Sequence, residues 1–533
     1  MLKHMFINVL IKIFPANFKA TIKIVLQQLN TGITNRCIVR WTRVVLTNKY
    51  ICPAVIVTRI IVLLQKTQSY ATLSHFTWTI MKLVIPEISW HNRDPVLSVH
   101  FQPTTTEEGY YRLASGGSDS HVFVWRIKVE GSNVNVEFAA DLTKHQKAVN
   151  VVRFSPDGQW LATGDDESVI VLWKFKSING PEQRPDLLED DDSKNLEKWI
   201  CHCVLRGHLE DVYDISWSPD SKRLISGGVD NKAIIWDVDK GQYKAILNDH
   251  KGFVQGVSWD PLNKYAATLS SDRTLRVFNT KTCKLFNKCD KSVPLGKKGD
   301  GEEIKSRLFH DDTLKSFFRR LSFSPDGQIL VTSSGIKEIF DEQNKNKTTT
   351  NVSYVFARKS FTKPVLYVPS LDQYSVAVKF SPVLFELKEN TKSVFDLPYR
   401  MIYAIATNSS ILLLDTQHAA PFAYIGDIHY TRLTDLSWSA DGLLLIVSSS
   451  DGFCSIISFS KEELGKPYMD KTLLVNAMEM EESFIQEDNE EVLNTPDKLI
   501  QKEEKNTVDF SEPTKKRVQL VTLSSPKTKK KLQ

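Results

Sequence analysis

A chain of 533 residues, 41% apolar and 10% aromatic, is long enough for two to four ordinary domains or for one large repeat ring with extensions. Its formal charge of +5 averages unlike regions: residues 1–80 hold ten Lys or Arg and no acid, whereas residues 81–533 hold 58 basic and 63 acidic residues. The body is therefore mildly acidic, which argues against a polyanion binder. Seven cysteines, an odd number without a Cys-x-x-Cys pair, argue against a disulfide framework and for a reducing compartment. Cys201 and Cys203 read as alternating strand positions, not as zinc ligands.

In chain order, the apolar stretch "VVLTNKYICPAVIVTRIIVLLQK" within residues 1–80 is interrupted by Lys49 and Arg59 and broken by Pro53, so it offers no clean membrane span. Scattered bases without acids are also the composition of a mitochondrial transit peptide. The favoured expectation is that this atypical basic and apolar extension is not native coding sequence and takes no part in the fold, the functional chain starting at Met81.

Residues 88–459 repeat themselves. "RLASGGSDSHVFVW" (112–125), "WLATGDDESVIVLW" (160–173), "RLISGGVDNKAIIW" (223–236) and "YAATLSSDRTLRVF" (265–278) share an apolar strand with small residues, a tight turn with an acid, and an alternating strand ending in an aromatic. Upstream strands such as "AVNVVRFSPDG" (148–158) and "DVYDISWSPD" (211–220) complete each unit. A blade of about 40 to 45 residues fits the spacing, with an insertion before the third. "FFRRLSFSPDGQILVTSSG" (317–335) begins a fifth blade, resuming at "TTNVSYVFARK" after a polar loop at 337–348; a sixth is interrupted at 383–398, and residues 432–459 make a seventh. "KLVIPEISW" (82–90) is then a strand without a blade, expected to complete the last one and remove its open edge.

"RGHLEDVYDISWSPDSKRLISGGVDNKAIIWD" (206–237) resembles a nearly complete WD40 repeat. The resemblance implies an all-β, seven-bladed WD40 β-propeller over residues 81–468, with His208, Ser226, Asp230 and Trp236 as a structural tetrad. His250, Thr268, Asp272 and Phe278 match it in the fourth blade, and His145, Thr163 and Trp173 in the second, where Glu167 stands at the expected acid. A buried imidazole needs an acid and a hydroxyl to satisfy both nitrogens, so these groups read as structural and not catalytic. No Walker loop, Gly-x-Ser-x-Gly elbow, His-Glu-x-x-His or dinucleotide fingerprint occurs, and no enzyme activity, cofactor or metal is expected.

Residues 469–512 form an acidic linker, with thirteen acids against four Lys or Arg in 470–512, and are expected to be disordered; residues 513–533 reverse sign, with seven bases and no acid. Three features point to binding. Glu189, Asp190, Asp191 and Asp192 form an acidic loop suited to a basic partner such as a histone, or simply a solvated charge run. Phe317, Phe318, Arg319 and Arg320 place two aromatics and two arginines at a blade start, a candidate interface. In "TKKRVQLVTL" (514–523), Val518 and Leu520 share one face of an extended strand that would order by adding to another protein's sheet edge. "PKTKKK" (526–531) also reads as a nuclear import signal.

"FHDDTLKSFFRRLSFSPDG" (309–327), "RGHLEDVYDISW", "KAVNVVRFSPDG" and "VQGVSWDPL", in this arrangement, resemble the family of WD-repeat middle subunits of chromatin assembly factor 1. "KKRVQLVTL" is similar to the B-domain-like motif through which those middle subunits, and the related regulator HIRA, bind the histone chaperone anti-silencing factor one. Lys516, Arg517, Val518 and Leu520 match the motif, and Val521 and Thr522 depart from it. The resemblance implies a nuclear, non-catalytic scaffold whose partners are the factor's large subunit, the anti-silencing chaperone, histones H3–H4 and another WD40 histone-binding subunit. Direct DNA readout and membrane binding are not expected. Alternatives are a HIRA-type subunit for replication-independent deposition and a substrate adaptor of a ubiquitin ligase.

Overall fold

The computed structural model describes residues 81–469 apart from 105–108, 131–132, 177–194, 292–305, 342–345, 371–372, 390 and 392. Within them lie seven antiparallel sheets of four strands each, a seven-bladed β-propeller. The first blade runs Val96–Phe101, Tyr111–Gly117, Val122–Glu130 and Asn133–Leu142. Its inner strand is largely buried, whereas the outer strand alternates until it reaches the core, as expected where one edge meets its neighbours and the other meets water. Inner strands of successive blades pack against one another, and Leu433–Trp438 of the seventh meets Val96–Phe101 of the first. Apolar clusters fill the gaps between blades: Val151, Ile170 and Leu172 of the second lie against Ile215, Trp217 and Trp236 of the third.

The ring closes as the orphan strand requires. Lys82–Val84 pairs with Cys454–Ser458, Leu83 opposite Ile457, as the fourth strand of the seventh blade. Leu83 is buried there, so closure adds apolar area as well as ladder hydrogen bonds. One expectation fails: the polar loop at 337–348 is largely paired, with Lys337 opposite Thr350 and Asp341 opposite Asn346 in a long hairpin between Ile329–Asp341 and Asn346–Ala357. The run Thr348–Thr350 is β-branched and favours a pleated ribbon despite its polarity.

Two recurrent details set up the centre. First, a bulge follows the first residue of the inner strand in six blades, leaving Leu97, Asn150, Tyr213, Gln255, Val376 and Thr434 outside the ladder register. Second, the fifth residue of the inner strand ties its blade to the next. Ser437 accepts from the Phe101 N–H (2.9 Å), His100 Nδ1 from Phe154 (3.1 Å), Ser216 from Trp259 (2.9 Å) and Ser258 from Phe323 (3.2 Å). Arg153 and Lys379 occupy this position in the second and sixth blades, and their cationic side chains cannot accept. There the following tryptophan donates its indole N–H to the backbone carbonyl instead, Trp217 to Arg153 (3.0 Å) and Trp438 to Lys379 (3.1 Å).

Candidate interaction site

The tetrads hold the loops of one face. His208 Nε2 meets Ser226 Oγ at 2.7 Å, its Nδ1 meets Asp230 at 3.1 Å, and the Trp236 indole donates to the same serine at 2.8 Å. Burial opposes ionisation of Asp230, but the His208 hydrogen bond and charge outweigh it and hold the carboxyl below its usual value. In the fourth blade His250 contacts Thr268 (2.7 Å) and Asp272 (3.0 Å), while Phe278 has no indole to donate. The second blade corrects the sequence reading: Asp165, not Glu167, faces His145, at 2.6 Å, with Thr163 at 2.6 Å on the other nitrogen. The Asp165 carboxylate also accepts the N–H groups of Glu167 and Val169, so the acid at the strand end organises the turn that follows. The first blade has a full tetrad that sequence reasoning missed, His91, Ser115, Asp119 and Trp125. Its signal was His91 directly after "KLVIPEISW". His429, Asp451 and Ser455 form a variant in the seventh.

The segment 310–317 bridges five blades. His310 meets Asn351 (2.8 Å), the Gln255 amide donates to the Phe317 carbonyl (3.2 Å), and the Lys315 carbonyl accepts from Tyr374 (3.2 Å) and from Arg432. Phe317 lies 6.2 Å from Tyr213 between ring centroids. The four residues of the candidate interface therefore do different things. Phe317 is 62% exposed, whereas Phe318, Arg319 and Arg320 are interior.

Arg319 donates to the Gln255 side chain (2.6 Å) and to the carbonyls of His310 and Asp311, pinning the segment. Burial pushes its guanidinium down to about 10. Arg320 closes the centre of the ring: it donates to the carbonyls of Leu97 (3.2 Å), Thr434 (2.9 Å) and Asn150 (2.7 Å), three of the bulged residues, in the first, seventh and second blades. The bulges turn those carbonyls out of the ladder, and one guanidinium collects them. Phe318 lies 3.9 Å from the Arg320 guanidinium on a cation–π contact.

Beside Arg320, Arg153 pairs with Asp435 (2.7 Å) and Asp214 (3.2 Å). Burial alone would raise the Asp435 carboxyl, but Arg153, Arg320 and Lys379 hold it well below the usual carboxylate range. Burial lowers Arg320, while Asp435 and Asp214 outweigh the same burial and raise Arg153. Both guanidiniums remain charged at neutral pH, and the network is a structural plug of paired charges.

On the face carrying Phe317, Asp166 and Asp211 interact as like charges. Burial first, and then Asp165, raises the Asp166 carboxyl against a hydrogen bond from Asn150; burial first, and then Asp166, raises Asp211; both carboxylates add to the burial that pushes Tyr213 up to about 12. Leu209 (72% exposed) sits in the loop of this blade. The exposed Phe317 ring, packed on the buried Tyr213 and near carboxylates, is thus the surface feature that the sequence motif yields once its arginines turn inward. Glu189, Asp190, Asp191 and Asp192, and the tail residues Lys516, Arg517, Val518 and Leu520, lie outside the described residues. No helix among the described residues is long and apolar enough to cross a membrane, and no group of His, Cys, Asp or Glu among them is arranged to hold a metal.

Known proteins resemble this chain over the same region. The CAF1B/HIR1 beta-propeller domain matches residues 81–464. The B-subunit of chromatin assembly factor 1 from Mus musculus is 45% identical over 406 residues, covering 74% of this chain and 69% of the relative. The Saccharomyces cerevisiae protein of the same name is 34% identical over 413 residues, covering 70% and 85%. Protein HIR1 of Yarrowia lipolytica is 26% identical over 418 residues, covering 72% of this chain and 38% of the relative. With its propeller matched from end to end and its chromatin assembly factor 1 relatives aligned over most of both chains, the chain belongs to the CAF1B/HIR1 β-propeller family.

Proposed function

We propose that the chain is a nuclear, non-catalytic scaffold subunit of a histone chaperone complex that deposits H3–H4 on DNA during replication-coupled and repair-coupled nucleosome assembly. The propeller binds the complex's large subunit, and the Lys516, Arg517, Val518 and Leu520 motif recruits the anti-silencing factor one chaperone with its histone cargo. The observation that carries this reading is the match to proteins named as the B-subunit of chromatin assembly factor 1, at 45% identity over most of both chains. The HIRA-type alternative has weaker support, because the Yarrowia relative named HIR1 is 26% identical. A plugged centre and pinned loops suit a rigid platform that presents side chains to protein partners.

The face carrying Phe317, Tyr213, Asp166 and Asp211 is the surface we assign to the large subunit, with apolar contact on the rings and basic residues of the partner against the carboxylates. Residues 1–80 are taken as outside the working unit, 81–468 as the propeller, 469–512 as a tether and 513–533 as the recruiting tail. The test is co-purification of the tagged full chain with the large subunit, with a HIRA-complex partner and with a cullin adaptor. Retention of only the large subunit supports the reading, and retention of either of the others in its place overturns it.

A further inference from the structure

The plug divides the central channel into two unlike levels. The third residues of the inner strands, Ser98, Val151, Asp214, Ala377 and Asp435, together with Arg320, are at most 2% exposed, so the middle is sealed. Two residues further along, the fifth-position ring consists of His100, Arg153, Ser216, Ser258, Lys379 and Ser437, with Ser322 at the corresponding place in the fifth blade. No carboxylate belongs to this ring. His100, Ser216, Ser322 and Lys379 are half-buried, so this level opens to solvent while the one behind it does not. The result is a cationic well with the plug as its floor.

The charges there do not balance. Asp214 and Asp435 are consumed by Arg153 and Arg320, with further hydrogen bonds from Ser98 and from the N–H groups of Val99, Val257 and Leu436. Lys379 is a third cation close enough to interact with all four of these charged groups, yet its ammonium has no hydrogen bond or ion pair among the described residues. Independently, the Nε atom of Arg153 is buried without a hydrogen-bond partner, whereas that of Arg320 lies 3.5 Å from Asp214. His100 accepts from Phe154 through Nδ1, which leaves its Nε2 carrying the proton. An unmet Arg153 donor and the unpaired Lys379 ammonium, with its one uncompensated positive charge, thus gather at a level of the channel lined by serine hydroxyls.

We propose that this well binds one small inorganic oxyanion, of the size and charge of phosphate or sulfate, held by Lys379 with donors from Arg153 and His100. A tetrahedral oxyanion supplies the acceptors these groups lack and neutralises the surplus charge. The site lies on the axis and uses none of the residues assigned to partner binding, so it stands or falls separately from the proposed function.

Isothermal titration of the full chain with sodium phosphate at pH 7 and constant ionic strength tests it. Saturable one-to-one binding is expected, weakened at least tenfold in Lys379→Met and retained in Lys379→Arg. A second arm needs no variant. Sulfate does not titrate in this range, and the groups facing the site are Lys379, His100, Arg153, Arg320, Asp214 and Asp435. Burial first, then Arg153, lowers Lys379 to about 8, and the same two causes keep His100 neutral. Sulfate affinity should therefore fall as pH rises from about 7 to about 9.5, through loss of the Lys379 proton. Absence of saturable binding, a Lys379→Met variant that titrates as wild type, or sulfate affinity independent of pH would each overturn the proposal, leaving water to fill the well.

Discussion

Blades one to four and blades five and six are held by different means. In the first group a histidine near the blade start reaches an acid and a hydroxyl some twenty residues on, within the same repeat. The fifth and sixth blades are pinned by longer-range arginine and tyrosine contacts: Arg358 clamps Asp260 with two contacts of 2.9 Å, Tyr399 reaches Asp326 at 2.8 Å, and Arg400 joins Asp415 to the Leu464 carbonyl. Leu464 ends the single turn Lys461–Leu464, after which the Glu386 N–H donates to the Lys466 carbonyl, so the chain beyond the last blade folds back to brace the sixth. Local pins stabilise one blade each; long-range pins make the blades depend on one another. The first kind follows from repeat geometry, and the second must be rebuilt wherever the repeat degenerates.

This contrast yields a graded series of tests. Arg320→Met should be the most damaging, since it strips three carbonyls and two buried carboxylates of a partner at once; a cost of about 3–5 kcal/mol is expected, read as a lower denaturant midpoint. Arg358→Met, which leaves Asp260 buried without its clamp, should cost about 3 kcal/mol. The local pin His208→Ala should cost less, about 1–3 kcal/mol, with hydrogen exchange rising in the third blade and little elsewhere. If His208→Ala loosens the whole ring as much as Arg320→Met does, the distinction between local and long-range pins is wrong.

Acidification probes the same contrast. Burial lowers His250 and His310 despite their hydrogen bonds to Asp272 and Asn351, so the folded chain resists protonation that the unfolded chain accepts near pH 6.5. Stability is therefore complete above that value and declines as pH falls through the window beneath it. The depressed carboxyls of Asp119, Asp230 and Asp451 contribute stability that is present above about pH 4 and lost as pH falls further. A melting temperature that is flat from pH 7 to pH 3 would contradict both. The smallest effects belong to Phe317→Ala, whose exposed ring should cost under about 0.5 kcal/mol, and to removal of residues 1–80, which should leave the melting temperature unchanged.

The fold was legible because its signals are periodic. The spacing of "RLISGGVDNKAIIW" and its relatives fixes strand, turn and strand, and the surplus strand at 82–84 has one place to go. The tetrad of the third blade was equally readable, because its four residues fall at repeat-determined positions. Glu167 misled because the turn in the second blade takes its acid from the preceding strand end, at Asp165. The fate of Phe317, Phe318, Arg319 and Arg320 was hidden for a deeper reason. An arginine pair at a strand start reads as surface charge, and only the converging bulge carbonyls of Leu97, Asn150 and Thr434 reveal that Arg320 belongs on the axis. Those residues lie far apart in sequence, and the bulges that free their carbonyls leave no mark in the residue pattern.

The central claim is a division of labour between a rigid propeller and a recruiting tail. The most direct measurement is isothermal titration of the anti-silencing factor one chaperone into the full chain and into the Arg517→Ala, Val518→Ala double variant, with association of the large subunit followed in parallel. The account predicts that the double variant loses chaperone binding while keeping its affinity for the large subunit. Unchanged chaperone affinity, or simultaneous loss of both partners, would contradict it.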